Sequence, residues 1–362
     1  MPQIFHYREG GNDDIKIVDP LTWHGGMTQA QFLPIEGPNV WTSKDFNAGE
    51  EWVVNLSETH IGLLEAAMEK AAARNIAPQD ITPDNFPLGK LRIVLDAAYE
   101  TLEHGRGFLV LRGWPSKNYS HAQNLIVFCG IASYFGKAMV QNYEGEAIVD
   151  VIDKKKPYDH TSRGYMSNKR LPFHSDGADL VGLLCLGEPI EGGTSLLLSA
   201  TKLYNTILNE HPEYSEIFMR GFYHHRRGQH DPGEAPISAE RIPIFSFHND
   251  LLHCCYNRNP IDWVVHEGMS LSAQEIGVLD YFDALCHRPG MAVEMIFRQG
   301  DMQFVNNFVI LHSRSEYRDA PDSRRHLVRL WLENPRSFRG AQGLLDIYVP
   351  GSSKVSKEDR VQ

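Results

Sequence analysis

The stretch Leu171-Pro172-Phe173-His174-Ser175-Asp176-Gly177 carries a histidine and an aspartate two residues apart. On extended backbone, positions i and i+2 point the same way. The imidazole of His174 and the carboxylate of Asp176 therefore converge, and Ser175 is directed away. Two ligands do not hold a transition metal in water, so a third must come from elsewhere. Phe308-Val309-Ile310-Leu311-His312 offers it: a histidine ends an apolar run that follows the turn signals Gly300-Asp301 and Asn306-Asn307. Two histidines and one carboxylate on one face, with the opposite face open, form the ligand set of non-haem Fe(II) oxygenases.

His-x-Asp alone is a weak signal, and its surroundings sharpen it. Val181-Gly182-Leu183-Leu184-Cys185-Leu186 follows and reads as a buried strand. Then comes Glu191-Gly192-Gly193-Thr194-Ser195-Leu196-Leu197-Leu198-Ser199-Ala200, and, downstream of His312, Arg324-Arg325-His326-Leu327-Val328-Arg329-Leu330-Trp331-Leu332. Together these stretches resemble the taurine dioxygenase (TauD/TfdA-like) family of the clavaminate synthase-like group, over about residues 107 to 334. The resemblance implies a distorted double-stranded β-helix, a jelly roll, flanked by helices. It implies a non-haem oxygenase that uses Fe(II), O2 and the co-substrate 2-oxoglutarate, releases succinate and CO2, and oxidises an unactivated C–H bond of a small molecule. Hydroxylation is the default outcome; desaturation and cyclisation are open to the same chemistry. Halogenation is disfavoured, because Asp176 stands where halogenases of the group lack a carboxylate.

The distal carboxylate of 2-oxoglutarate needs a cation that stays charged and binds with two donors, which favours arginine. Arg325 and Arg329 are four apart in a run that reads as a strand, so they share a face and lie roughly 13 Å apart. One carboxylate cannot use both equally. The resemblance gives Arg325 to 2-oxoglutarate and Arg329 to substrate. It also implies a hydroxyl against the same carboxylate, at Ser195 or its neighbour Thr194; a strand turns only one of the two inward, and Ser195 is preferred. Asn168 and Arg258 are further candidate substrate contacts, and Arg314 is expected to pair with a nearby carboxylate. The basic run from Tyr223 to His230 reads as a solvated strand-to-loop surface before a seat for an anion.

Other chemistry finds less support. A zinc hydrolase could use the same three ligands, but no general base stands out. A ligand-binding jelly roll without activity would be expected to have lost the triad or Arg325. There is no Gly-rich phosphate loop, G-x-S-x-G elbow or dinucleotide fingerprint.

The remainder of the chain must position these groups. At 362 residues it is long enough to bury a large core, and the expectation is one oxygenase domain over 1–362. Within it, 1–106 form an irregular arm, anchored by Trp23, Trp41 and Trp52, and helices. Residues 107–334 form the jelly-roll core with inserted helices, and 335–362 an extension ending in a disordered polar tail. Helices are expected from near Asn55 or Ser57, from about Pro87 to His104, from Ser120 to Gly136, from Ser199, up to Gly221, and from Ser272, where Ser272 and Glu275 have capping-box spacing. Residues 141–170 read as a polar loop that is either solvated or a lid over the site, and 222–265 as strands and loops.

A net charge of -11 argues against nucleic acid as the partner. No stretch is apolar enough for a membrane helix, and the N-terminus lacks a secretory pattern. Cys129, Cys185, Cys254, Cys255 and Cys286 are odd in number and lack CxxC spacing, which suits buried thiols in a reducing compartment, the cytoplasm.

Overall fold

The computed structural model describes residues 33–46, 50–156 and 158–337, and the backbone of His6–Arg8 and Ile15–Ile17. Trp23 and the polar tail lie outside the described residues. The N-terminal part contains β1 (His6–Arg8), β2 (Ile15–Ile17), β3 (Val53–Asn55), α1 (Glu58–Ala73), α2 (Leu91–Glu103), β4 (Phe108–Arg112) and α3 (His121–Ala132). Next come β5 (Lys137–Met139), β6 (Ile148–Val151), β7 (Leu171–His174), β8 (Leu180–Gly187), β9 (Glu191–Gly192), β10 (Ser195–Ser199), α4 (Ala200–Glu210) and α5 (Ser215–Arg220). The last part holds β11 (Phe245–His248), β12 (Leu251–Cys254), α6 (Arg258–Asp262), α7 (Ala273–Cys286), β13 (Val293–Met295), β14 (Met302–Asn306), β15 (Ile310–Arg314), β16 (Tyr317–Arg318) and β17 (His326–Glu333).

Two sheets face each other, as in a jelly roll. The larger runs β3-β4-β14-β8-β17-β5, with β6 also on β17, and the smaller runs β13-β10-β15-β7. Period-two alternation assigns every strand residue to a layer. In β17, Val328, Leu330 and Leu332 pack under α1–α3, whereas Trp331 faces the smaller sheet. In β15, Leu311 meets the layer of α4, α5 and α7, and Ile310 joins the cluster between the sheets. His312 and Arg314, two and four residues after Ile310, therefore point inward.

Side-chain caps set the helix starts. Ser57, Ser120, Ser199 and Ser272 each accept a hydrogen bond from a backbone N–H of the first turn. Trp41 and Trp52 are buried against Phe108, as packing aromatics. All five cysteines are free and buried.

Two expectations need correction. Residues 141–170 are no mere loop: Ile148–Val151 pair with β17, and Gln141, Asn142, Arg163 and Tyr165 are buried. The stretch 222–265 includes helix, because Asn257 starts α6 and a 3-10 turn continues it to Glu267.

Candidate active site

His174 ends β7, and His312 stands opposite it in the middle of β15. Their rings lie 4.4 Å apart, centre to centre. Asp176 follows in a turn clamped from two sides. Its N–H donates to Asn307 Oδ1 (2.8 Å), and Asn307 Nδ2 donates back to the carbonyls of Asp176 and Ala178. Ser175 is turned away and exchanges hydrogen bonds with the Tyr256 backbone, accepting at Oγ and donating its N–H. The carboxylate then faces His312 Nε2 at 3.6 Å and His174 Nε2 at 4.0 Å. These gaps are too long for hydrogen bonds and leave room for an ion.

The electrostatics fit a divalent metal. His174 Nδ1 is 2.8 Å from the Pro172 carbonyl, which assigns the ring proton to Nδ1 and leaves the Nε2 lone pair toward Asp176. Burial, then the neighbouring His312, push the His174 pKa down to about 3, so the ring is neutral. Burial alone would raise the Asp176 carboxyl. Arg329, His312 and His174 outweigh it and hold the group well below the usual carboxylate range. Two imidazole nitrogens, that of His174 neutral, and one ionised carboxylate thus come within 4.8 Å of one another.

A second feature lies along the same inward face. Arg314 and Arg325 are both buried, and their guanidinium carbons sit 4.8 and 5.1 Å from the centre of one ring, that of Tyr317. Among the described residues, Arg325 Nη1, Arg314 Nε and Nη1, and the Tyr317 hydroxyl have no hydrogen-bond partner. Buried donors are rarely left so, and two such cations side by side fit a carboxylate. Arg314 does not pair with a carboxylate as expected; its Nη2 donates to the Ser167 and Lys169 carbonyls. Gly193, at φ 72°, makes room for Arg325: a Cβ there would lie 3.2 Å from Arg325 Cδ. Ser195 is opposite Arg314 in register and so shares its inward face, whereas Thr194 is part-exposed and holds Ser315 through its backbone.

The cavity over the triad is lined by Arg329, Arg163, Arg227, Tyr158, Asn257 and Trp331, among others. Arg329 Nη1 donates to both Asp176 oxygens (3.1 and 3.2 Å), and its Nε donates to Gln141 Oε1. Arg258 does not line this cavity, contrary to expectation. It is bound by three carboxylates, Asp262, Asp280 and Asp283, each at 2.8 Å. Asn168 is not a lining residue either; its Nδ2 and carbonyl hold the Tyr317 backbone. The run 223–230 is not a solvated surface, since His224, His225 and Arg227 are buried.

Sequence reasoning missed Arg163, Tyr158 and Asn257, and it placed Arg227 in a run read as solvated surface before a seat for an anion. Arg163 and Tyr158 sit in the polar segment before β7, where no period marks an inward residue. Arg227 has φ 55°, a left-handed backbone that no pattern announces.

Comparisons with known proteins agree with this geometry. The family "Taurine catabolism dioxygenase TauD, TfdA family" matches residues 72–331. The chain is 35% identical to FR-33289 synthase of Streptomyces rubellomurinus, over 86% of this chain and 94% of that protein. It is 28% identical to the taurine hydroxylase-like protein SAT17 of Stachybotrys chartarum, over 84% and 81%. A solved asparagine oxygenase, with Fe(II), 3-hydroxyasparagine and succinate, shares the fold at a TM-score of 0.60 and 18% identity, covering 78% of this chain and 94% of its own. The chain belongs to the TauD/TfdA family and is an Fe(II)- and 2-oxoglutarate-dependent oxygenase acting on a small molecule.

Proposed function

We propose that His174, Asp176 and His312 hold the iron and that Arg325, with Ser195, takes the distal carboxylate of 2-oxoglutarate. One observation carries this reading: two imidazoles and an ionised carboxylate converge beside buried arginines, several of whose donors lack partners among the described residues. With O2, iron and 2-oxoglutarate supply oxidation of a substrate C–H bond, releasing succinate and CO2.

The protein's own part is to position and to shield. The Pro172 carbonyl and Asn307 fix the aim of His174 and Asp176. Arg329 holds the carboxylate in its ionised form and orients it. Trp331 and Leu171 give the cavity an apolar wall that limits water. Arg314 completes the seat around Tyr317. The outcome is hydroxylation of a small, anionic metabolite in the cytoplasm, by a single unit that does not act on nucleic acid. The acidic net charge supports the last point. Neither a hydrolase nor an inactive binding protein gains support, since no lining acid besides Asp176 is present to serve as a general base.

The test is succinate formation by protein loaded with Fe(II), 2-oxoglutarate and O2, with product mass measured across a panel of small anions. A gain of about 16 mass units with matched succinate is expected, one oxygen per C–H bond. Loss of two mass units with matched succinate would overturn hydroxylation in favour of desaturation or cyclisation.

A further inference from the structure

Iron and 2-oxoglutarate do not account for Arg163. It stands just before the turn Gly164–Met166 and lines the cavity over the triad. The residue is buried, and its guanidinium lies over the rings of Trp331 (5.3 Å) and Tyr165 (5.6 Å). Its Nη1 donates to the Gln141 carbonyl (2.9 Å). Nε and Nη2 make no hydrogen bond among the described residues, and no carboxylate there pairs with the group. Burial, and then repulsion from Arg227 and Arg329, lower its pKa to about 9, so it stays a cation at neutral pH.

Other arginines show what this one lacks. Arg112 meets Asp301 side-on, with Nε and Nη2 each 2.8 Å from a carboxylate oxygen. Arg258 is surrounded by three carboxylates, and Arg329 donates to Asp176. A buried cation without a counter-charge is costly, and aromatic rings offset only part of that cost. Asp176, the one acid among the lining residues, is held by Arg329 and aimed at the histidines. Arg227 lines the same cavity but is engaged in an interaction of its own. The counter-charge for Arg163 must therefore arrive with what enters the cavity.

Geometry narrows the class. With Nη1 taken by the Gln141 carbonyl, the open part of the guanidinium is the Nε–Nη2 edge, two parallel donors in one plane. That edge matches the two coplanar oxygens of a carboxylate, the pairing seen at Arg112. Arg329 is tied to the same residue, with Nε on Gln141 Oε1, and lies over the same two rings (5.1 Å from Tyr165, 5.0 Å from Trp331). Its Nη2 is buried without a partner among the described residues, as are the Tyr165 hydroxyl and Trp331 Nε1. This corner of the cavity holds donors in excess, and an ionised carboxylate only accepts.

We propose that a carboxylate of the substrate seats on the Nε–Nη2 edge of Arg163, and that Arg163 thereby selects the substrate. This rests on the reading of His174, Asp176 and His312 as the iron ligands.

The experiment uses the full chain loaded with Fe(II) and 2-oxoglutarate without oxygen. The visible band of the iron chelate is recorded first. Propionate, its neutral analogue propionamide, methanesulfonate and methylphosphonate are then titrated by calorimetry. Propionate should bind at least about tenfold tighter than propionamide, a difference of about 1.4 kcal/mol, and tighter than the two tetrahedral anions. Arg163→Gln should form the same band and bind propionate and propionamide alike. Arg163→Lys keeps the charge but loses the planar edge. It should bind propionate severalfold more weakly than the wild type, and it tests the edge even where Arg163→Gln does not fold. The proposal is overturned by a wild type without preference for propionate over propionamide, by a preference that survives Arg163→Gln, by an Arg163→Lys protein that binds propionate like the wild type, or by tighter binding of methanesulfonate or methylphosphonate. Absence of the chelate band with the propionate preference intact would overturn the iron reading and leave the Arg163 seat standing.

Discussion

The described residues carry two sets of histidine, aspartate and histidine whose ligand atoms lie within 4.8 Å of one another: His174, Asp176 and His312, and His121, Asp150 and His326. In the second set, His326 Nε2 lies 2.7 Å from Asp150 Oδ1, and His121 Nε2 lies 3.7 Å from the same oxygen. The two rings stack 5.5 Å apart, and both His121 and Asp150 have almost half their side-chain surface in water. There the carboxylate and the imidazole satisfy each other. In the first set they do not. A backbone carbonyl takes the far nitrogen of His174, an amide clamps the turn at Asp176, and the carboxylate stands 3.6–4.0 Å from each Nε2. Identical residue types thus give an ion pair in one place and an open chelate in the other. The groups behind the ligands and the degree of burial decide which.

Substitutions can break or sharpen this contrast. The largest effect is expected at the first set: His312→Ala or Asp176→Ala should lower kcat/KM by at least about a thousandfold, near 4 kcal/mol of transition-state stabilisation, in a succinate assay. Arg325→Ala should raise the KM for 2-oxoglutarate by about a hundredfold, the loss of a charge-assisted, two-pronged contact. Asn307→Ala removes a clamp rather than a ligand. Iron affinity should fall about tenfold to a hundredfold, as for other groups behind metal ligands, while unchanged iron affinity would deny Asn307 that role. His326→Ala belongs at the bottom of the scale. It should leave turnover within about twofold and cost less than about 1 kcal/mol in denaturant unfolding, as for part-exposed pairs.

The second set should also show its ion pair through acid. The hydrogen bond from His326 holds the Asp150 carboxyl below its ordinary value. A carboxyl depressed in the folded state contributes stability above its unfolded pKa and loses it as pH falls through the folded one. The stability difference between wild type and His326→Gln should therefore be present at pH 5 and shrink below about pH 4, where carboxylates protonate. A difference independent of pH over that range would argue against the ion pair.

The sequence made the first set legible because a strand repeats every two residues. His174, His312 and Arg329 stand on such strands, with the neighbours Leu311 and Val328 apolar where the sheets meet the helices, whereas Asp176 lies in the turn after β7 and Arg325 just before β17. Serine caps announced four of the helices. The cavity's cationic wall was not legible. Arg163 and Arg227 belong to segments without period, and their direction depends on Gln141, Trp331 and a left-handed backbone turn. Arg258 misled because its charge, read alone, suits an anion; Asp262 is near in sequence, but Asp280 and Asp283 reach it only through the packing of α7. The strand Ile148–Val151 alternates half-buried and buried positions, but it is only four residues long and opens on two adjacent apolar residues.

One measurement addresses the first set directly: anaerobic titration of Fe(II) and 2-oxoglutarate into the protein, followed by the visible absorption of the chelate. The wild type should develop the band at one iron per chain, His312→Ala should not, and His326→Ala should be indistinguishable from wild type. A band that survives His312→Ala, or vanishes in His326→Ala, would contradict the assignment of iron to His174, Asp176 and His312.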